Sequence, residues 1–179
     1  MTRFTKEEID EAFWRLHDNL NLSGRTGDWS HFGSSMTRDC TFIETELGRI
    51  GKRESLVRVL TDALADRERR PLSALQCFPV EDYFIDVPRA WVWSLWWARF
   101  KDPGDGSMHQ IRVFLQLKYK GDGEFFFGET IYHPYHFKKV MRNWSNAHEA
   151  WLAEADERMT MLAMREEKAM KMAPLKLDE

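Results

Sequence analysis

The amino-acid sequence predicts an α+β fold, with helices packed on one face of a curved sheet. Helical periodicity fills both ends of the chain, whereas from Leu75 to Tyr132 it gives way to strand after strand. Two turn clusters, Asp102-Pro103-Gly104-Asp105-Gly106 and Gly121-Asp122-Gly123, punctuate that middle region. Helices segregated from a run of strands read as α+β, not as alternating α/β. A length of 179 residues suits one domain with a long terminal helix but leaves no room for a second core.

The first element is a helix from Phe4 to Leu22, with Ile9, Ala12, Phe13, Leu16 and Leu20 recurring at threes and fours. Thr5 followed by Glu8 is a capping-box start, and Ser23-Gly24 is the expected end. A short helix follows from Gly27-Asp28-Trp29 to about Met36, with Asp28 placed to cap it. Thr41 to Leu47 reads as a strand closed by Gly48, and Ser55 to Arg69 as a helix that Pro71 bars from continuing. Gln76 to Val87, Ala90 to Phe100, His109 to Tyr119 and Phe125 to His133 form an expected four-strand antiparallel meander. Pro134 stops the last strand and opens a helix from about Tyr135 to near Met172.

Composition narrows the function. A net charge of −3, from 26 basic and 29 acidic residues, argues against a general nucleic-acid binder. No run approaches 18 apolar residues and the start MTRFTKEEID is polar, so neither a membrane span nor a targeting peptide is expected and the chain reads as cytoplasmic. Cys40 and Cys77 make no zinc-spaced pair and no disulfide framework. The outlying feature is aromatic: 8 Trp, 12 Phe and 4 Tyr exceed what a small core requires. Either they line a pocket for a flat ligand, or they form a surface buried between subunits.

Strand parity bears on that choice. In His109 to Tyr119 the positions Ile111, Val113, Leu115, Leu117 and Tyr119 are apolar and most of the alternate ones polar, as in a half-buried strand. On the preceding strand Trp91, Trp93, Leu95 and Trp97 face one way, and Val92, Trp96, Ala98 and Phe100 the other. Both faces are apolar; helices cover one, so a partner subunit is expected on the other, the alternative being an exposed aromatic patch.

Several short motifs occur in a telling order: Gly27-Asp28-Trp29; Thr37-Arg38-Asp39-Cys40-Thr41-Phe42-Ile43-Glu44; Gly48 with Gly51-Lys52-Arg53-Glu54; Phe78-Pro79-Val80-Glu81; Asp102-Pro103; Tyr119-Lys120-Gly121-Asp122-Gly123; and Tyr132-His133-Pro134. Together, over roughly Thr5 to Trp151, they resemble the SnoaL-like branch of the nuclear-transport-factor-2-like superfamily. The resemblance implies a cone-shaped α+β barrel: a curved antiparallel sheet wrapped around helices, with a deep pocket. On this reading residues 1–151 are the barrel domain and 152–179 a helical extension of it. Members include polyketide cyclases, ketosteroid isomerases, dehydratases, epoxide hydrolases, lyases of lignin-derived aromatic dimers and non-catalytic binding modules. The catalytic ones mostly work without metal or organic cofactor, so none is expected here. Fold alone does not decide among them. The sequence departs from the pattern of its relatives at Thr45, where His is expected, and at Thr130 and His133, where Asp and Asn are expected. These departures speak against Asp-centred hydrolysis. An epoxide hydrolase, the third possibility, is disfavoured because the carboxylate–arginine–carboxylate arrangement the resemblance implies for it is not found at the expected strand ends.

Cofactorless elimination, isomerisation or retro-aldol cleavage needs a base, an acid and a donor for developing oxyanion charge. Glu44, two residues after Phe42, is placed to project into the cone as base, or else is an exposed strand glutamate. Glu129 shares a face with Phe127 and Ile131, and a carboxylate among apolar neighbours is paired or functional. Arg99 ends the Trp91-Trp93-Trp97 face, where it would orient a carboxylate or hold an anionic group; a strand-end surface position is the alternative. His109 is the right type for acid–base work near neutral pH, or a satisfied core residue. For substrate binding the candidates are Trp93 and Trp97 as stacking faces, Arg112, which also suits a solvent or interface position, and Tyr132 and His133 at the cone mouth. His17, His31, His136 and His148 show no metal spacing. The Met-rich stretch from Met159 to Met172 suits a contact surface, and 173–179 a mobile end.

The reading is a cofactor-independent lyase acting on a small aromatic or polycyclic compound. Its sharpest form is formaldehyde-releasing cleavage of a diarylpropane to a stilbene. A dehydratase or isomerase and a non-catalytic binding module of the same fold are the alternatives. A homo-oligomer, dimer or trimer, is expected.

Overall fold

The computed structural model describes residues 3–64 and 71–172. Helix α1 (Lys6–Thr26) starts where Thr5 accepts a hydrogen bond from the Glu8 N–H at 3.1 Å. It runs a turn beyond Ser23-Gly24 and ends at Gly27, whose φ of 75° is the left-handed value a glycine cap supplies. Gly24 stays inside the helix because bare backbone is needed there: a Cβ would lie 2.7 Å from the Gln76 carbonyl oxygen. Helix α2 (Ser30–Ser34) is shorter than expected, and strand β1 (Met36–Glu44) begins earlier. Strand β2 (Gly48–Gly51), which the sequence reading lacks, folds back on β1. Helix α3 (Arg53–Leu64) follows; the rest of its expected length lies outside the described residues.

The expected strand from Gln76 to Val87 is two strands, β3 (Leu75–Cys77) and β4 (Val80–Asp86). They part at Phe78-Pro79, because proline has no N–H to continue a ladder. Strands β5 (Trp91–Phe100), β6 (Gln110–Gly121) and β7 (Glu124–Ile131) and helix α4 (Pro134–Met172) complete the order. The sheet runs β2-β1-β7-β6-β5-β3, with β4 also paired to β5. Its pairings are antiparallel save one: β1 lies parallel to β7, making the sheet mixed. Register shifts in β1/β7, β3/β5, β4/β5 and β6/β7 bend it.

Register settles which face is which. Val92, Ser94, Trp96, Ala98 and Phe100 of β5 are buried on the inner face with Ile111, Leu115, Leu117 and Tyr119 of β6. Helix α1 closes one side with Ile9, Phe13 and Leu16, all fully buried; the Phe13 ring stands edge-on to Trp96 at 5.8 Å and stacks on Tyr83 at 4.8 Å. The first half of α4 closes another, with Phe137 and Trp144 near Phe100 at 6.2 and 6.3 Å between ring centres. Its attachment is polar as well: Trp144 Nε1 donates to the Lys101 carbonyl at 2.7 Å. Past this point Met159, Met161, Leu162 and Met164 are exposed.

Candidate active site

Between the inner sheet face and the helices lies a cavity of about 190 Å³. Its wall is hydrocarbon almost throughout, built from residues such as Trp29, Phe32, Phe42, Leu60, Phe78 and Trp96. The one polar atom of the Trp96 ring donates inside the wall to Ser94 Oγ, so the ring offers the cavity an apolar surface. Among the described residues, no basic side chain lines the space.

Polarity is confined to a corner where β1 and β7 end: Glu44 and Glu46 from one side, Thr130 and Tyr132 from the other. Phe42 and Glu44 share the inward parity of β1, and Thr130, opposite Leu115, that of β7. The Glu44 carboxylate is held at three points. Oε2 accepts from the backbone N–H groups of Glu46 and Leu47 at 2.7 and 2.8 Å, and Oε1 accepts from the Tyr132 hydroxyl at 2.5 Å. Burial pushes the Tyr132 phenol well above the usual tyrosine range, and its hydrogen bond to Glu44 and the charges of Glu44 and Glu46 add to the rise. Glu46 is engaged by Lys138 of α4 at 2.8 Å, at the rim of the corner. Thr130 accepts from Thr45 Oγ1 at 2.7 Å through its backbone carbonyl, but its own buried hydroxyl has no partner among the described residues.

Glu44 and Tyr132 are thus brought together, and the other candidates are not. Glu129 pairs in register with Gln116 and Gln116 with Trp93, on the outer face; Gly128 and Thr130 are the inward neighbours, so period 2 turns Glu129 away. The same parity puts Trp93 and Trp97 outside, where the Trp93 ring lies 5.4 Å from Phe114. Arg99 donates through Nε to Gln110 at 2.9 Å, and Arg112 through Nε to Glu81 at 2.8 Å. His109 precedes β6 in the turn, its Nε2 2.9 Å from Ser107 Oγ. His133 is exposed at the head of α4, its Nδ1 accepting from the His136 N–H at 3.4 Å. None of these seven residues lines the cavity. Sequence reasoning missed Thr130, Glu46 and Trp96 as wall residues; the parity that Trp96 shares with Ala98 on β5 was the available signal for Trp96, and Glu46, past the end of β1, had none. Among the described residues no group of three or more His, Cys, Asp or Glu could hold a metal ion, and no helix is long and apolar enough to cross a membrane.

Neither a protein-family model nor a curated protein matches the chain. Solved structures do. An LEH-like epoxide hydrolase of M. tuberculosis superposes with a TM-score of 0.57 at 14% identity, over 79% of this chain and 94% of that one. A protein of Jannaschia sp. CCS1 described as a SnoaL-like polyketide cyclase gives 0.57 at 12% identity, over 75% and 92%. A nuclear-transport-factor-2-like protein of Anabaena variabilis gives 0.51 at 14%, over 74% and 95%. At such identities the likeness is one of fold. Taken with the curved sheet, the cavity between sheet and helices and the helix order, it shows that this chain has the SnoaL-like, nuclear-transport-factor-2-like fold.

Proposed function

We propose that the protein is a cofactor-independent acid–base enzyme, a lyase or isomerase, acting on a small and mainly hydrocarbon ligand held in the cavity. The observation that carries this reading is a fixed carboxylate, Glu44, with a buried phenol on it, at the single polar corner of an otherwise apolar cavity. Glu44 is the group that takes a proton from the ligand. Its two backbone bonds and the Tyr132 hydroxyl fix its orientation before the ligand arrives. Tyr132 positions Glu44 and keeps its own proton. That the fold neighbours include proteins described as a cyclase and an epoxide hydrolase supports an enzyme, though not any one reaction.

Volume bears on the substrate. A dry cavity of about 150 Å³ holds a benzene ring, so about 190 Å³ suits one substituted ring or a compact fused pair. The diarylpropane form of the lyase reading needs room for two separate rings, and the smaller aromatic substrate is favoured. The test is proton transfer itself. Incubated in D₂O without added cofactor, the protein is expected to exchange or consume members of a panel of single-ring aryl alcohols and ketones, followed by ¹H NMR. Glu44→Gln is expected to lower that rate by at least ~100-fold while an aromatic probe still binds. Binding without exchange across the whole panel would make the protein a ligand-binding module. Release of formaldehyde from a diarylpropane would restore the larger substrate.

A further inference from the structure

We infer that the Phe42 ring is the floor of the cavity and that Gly128, beneath it, sets the height of that floor. Together they restrict the site to a compact ring ligand, one substituted ring or two fused ones. The inference rests on the assignment of this cavity as the ligand site but not on the catalytic part given to Glu44.

Strand register lays the inner sheet face out in rows. Phe42 of β1 lies opposite Gly128 of β7, Gly128 opposite Leu117 of β6, and Leu117 opposite Val92 of β5. Toward the ends of β1 and β7 the next inward residues, Glu44, Thr130 and Leu115, all line the cavity. In the row of Phe42 that changes. Leu117 and Val92 are fully buried but do not line the space, and Phe42 alone of the four does. Beyond that row Cys40, Tyr119 and Phe125 are buried in the core and do not line it either. On the sheet side the cavity therefore ends on one aromatic ring.

Gly128 explains why the ring lies where it does. A Cβ at this buried position would stand 2.5 and 2.6 Å from Cε2 and Cδ2 of Phe42, and 3.4 Å from Cδ2 of Leu117. Carbon atoms in good contact are about 3.5–4.0 Å apart, so the ring occupies the space that a side chain would take. Gly128 is not among the glycines with positive φ, and its backbone is one that other residues adopt. Glycine weakens the interior of a strand and marks a place where another group comes close; here that group is the Phe42 ring. Phe32 of α2 meets the ring edge-on at 5.8 Å. Because an inward Cβ points off the sheet, a methyl at position 128 drives the ring about 1 Å into the cavity. At about 190 Å³ the cavity exceeds one that holds benzene by only ~40 Å³. A raised floor is thus felt first by ligands larger than a single ring.

Three apolar probes of graded length test this: toluene, naphthalene and 2-ethylnaphthalene, with affinities read by competition NMR. Gly128→Ala is expected to weaken naphthalene by about 10-fold, as one overpacked methyl does, and toluene by less than about 2-fold. Adding Phe42→Leu, whose smaller side chain clears the methyl, should restore the naphthalene-to-toluene ratio. Phe42→Leu alone lowers the floor, and should raise 2-ethylnaphthalene affinity relative to toluene by about 4-fold, the worth of one more buried methylene. General loosening of the fold would lower the Tm and weaken all probes alike without moving these ratios. If Gly128→Ala does not fold, Phe42→Leu carries the test. An unchanged ratio in folded Gly128→Ala, a fall that Phe42→Leu does not reverse, or no gain for 2-ethylnaphthalene in Phe42→Leu would each overturn the inference, even in a protein that exchanges protons as proposed. Failure of all three probes to bind the parent would overturn it together with the assignment of the cavity. The expected ratios without any proton exchange would uphold it and retire only the catalytic reading.

Discussion

At Tyr132, burial and a neighbouring carboxylate act in the same direction: both disfavour the phenolate, and the proton stays on the ring oxygen far into the alkaline range. The consequence for stability has a definite sign. In the unfolded chain a tyrosine gives up its proton near pH 10, whereas the native state retains it. Between those two points the folded protein binds more protons than the unfolded one, so stability is full below about pH 10 and declines as pH rises beyond it. Tyr83, hydrogen-bonded to Asp10, and Tyr119, raised by burial, contribute declines of the same sign. Tyr132→Phe removes one of the three shares. Urea unfolding from pH 8 to pH 11 should therefore show the variant losing less stability than the parent above pH 10; parallel curves would mean that the Tyr132 proton is not held. Because Tyr132 positions Glu44 in our reading, the same substitution should slow proton exchange less than Glu44→Gln does, and should lower kcat more than it raises KM.

Gly24 is a residue whose meaning belongs to the elements it joins. Inside an exposed helix, Gly→Ala usually stabilises, since alanine is the better helix former by about 1 kcal/mol. Here α1 passes so close to β3 that the new methyl would meet the backbone of Gln76 and the ring of Phe78 at 2.7–3.0 Å, and backbone cannot turn aside. Gly24→Ala is expected to cost about 1–3 kcal/mol by overpacking, read as a lower Tm; a neutral or stabilised variant would show that the helix and strand can separate freely. The glycine also shows what local pattern reading can and cannot see. Ser23-Gly24 carries every mark of a helix end, and only the tertiary approach of β3 gives it another use. Strands and turns marked by their own chemistry, from the Thr5–Glu8 cap to the Asp102–Gly106 cluster, were legible in the sequence. The parallel β1–β7 pairing was not, because no local signal encodes a partner as far along the chain as Gly128 is from Phe42. The site divides along the same line. Glu44 and Tyr132 were named from motif positions, but Glu129 and the outer tryptophans were placed by apolar neighbours on strands whose two faces are both apolar. Thr130 carried no signal, since a β-branched hydroxyl residue is ordinary in a strand.

Across the whole molecule the aromatic excess divides into two populations on opposite faces of one sheet. Trp29, Trp96, Phe32, Phe42, Phe78 and Phe137 surround the cavity. On the outer face the register stacks Phe84 beside Trp93, Leu95 beside Phe114 and Ile131, and Trp91 beside Lys118 and Phe127, with the Lys118 ammonium 4.5 and 4.2 Å from the two ring centres. Phe84 is 65% exposed and Ile131 52%. A patch of this kind on one side of a sheet marks an interaction surface. A second copy of this chain is the expected occupant. The charges within and around the patch are of both signs, Arg99, Arg112 and Lys118 against Glu81, Asp82, Asp86 and Glu129, so two copies related by a two-fold axis can set opposite charges against each other. Sedimentation of the parent should give a dimer that dissociates on dilution, and Trp93→Glu a folded monomer. Because the cavity opens on the other side of the sheet, the monomer should bind a single-ring aromatic probe such as p-cresol as the parent does. A parent that is monomeric at all concentrations would leave the outer face to another partner, and a folded Trp93→Glu monomer that has lost p-cresol binding would mean that the two aromatic populations serve one site after all.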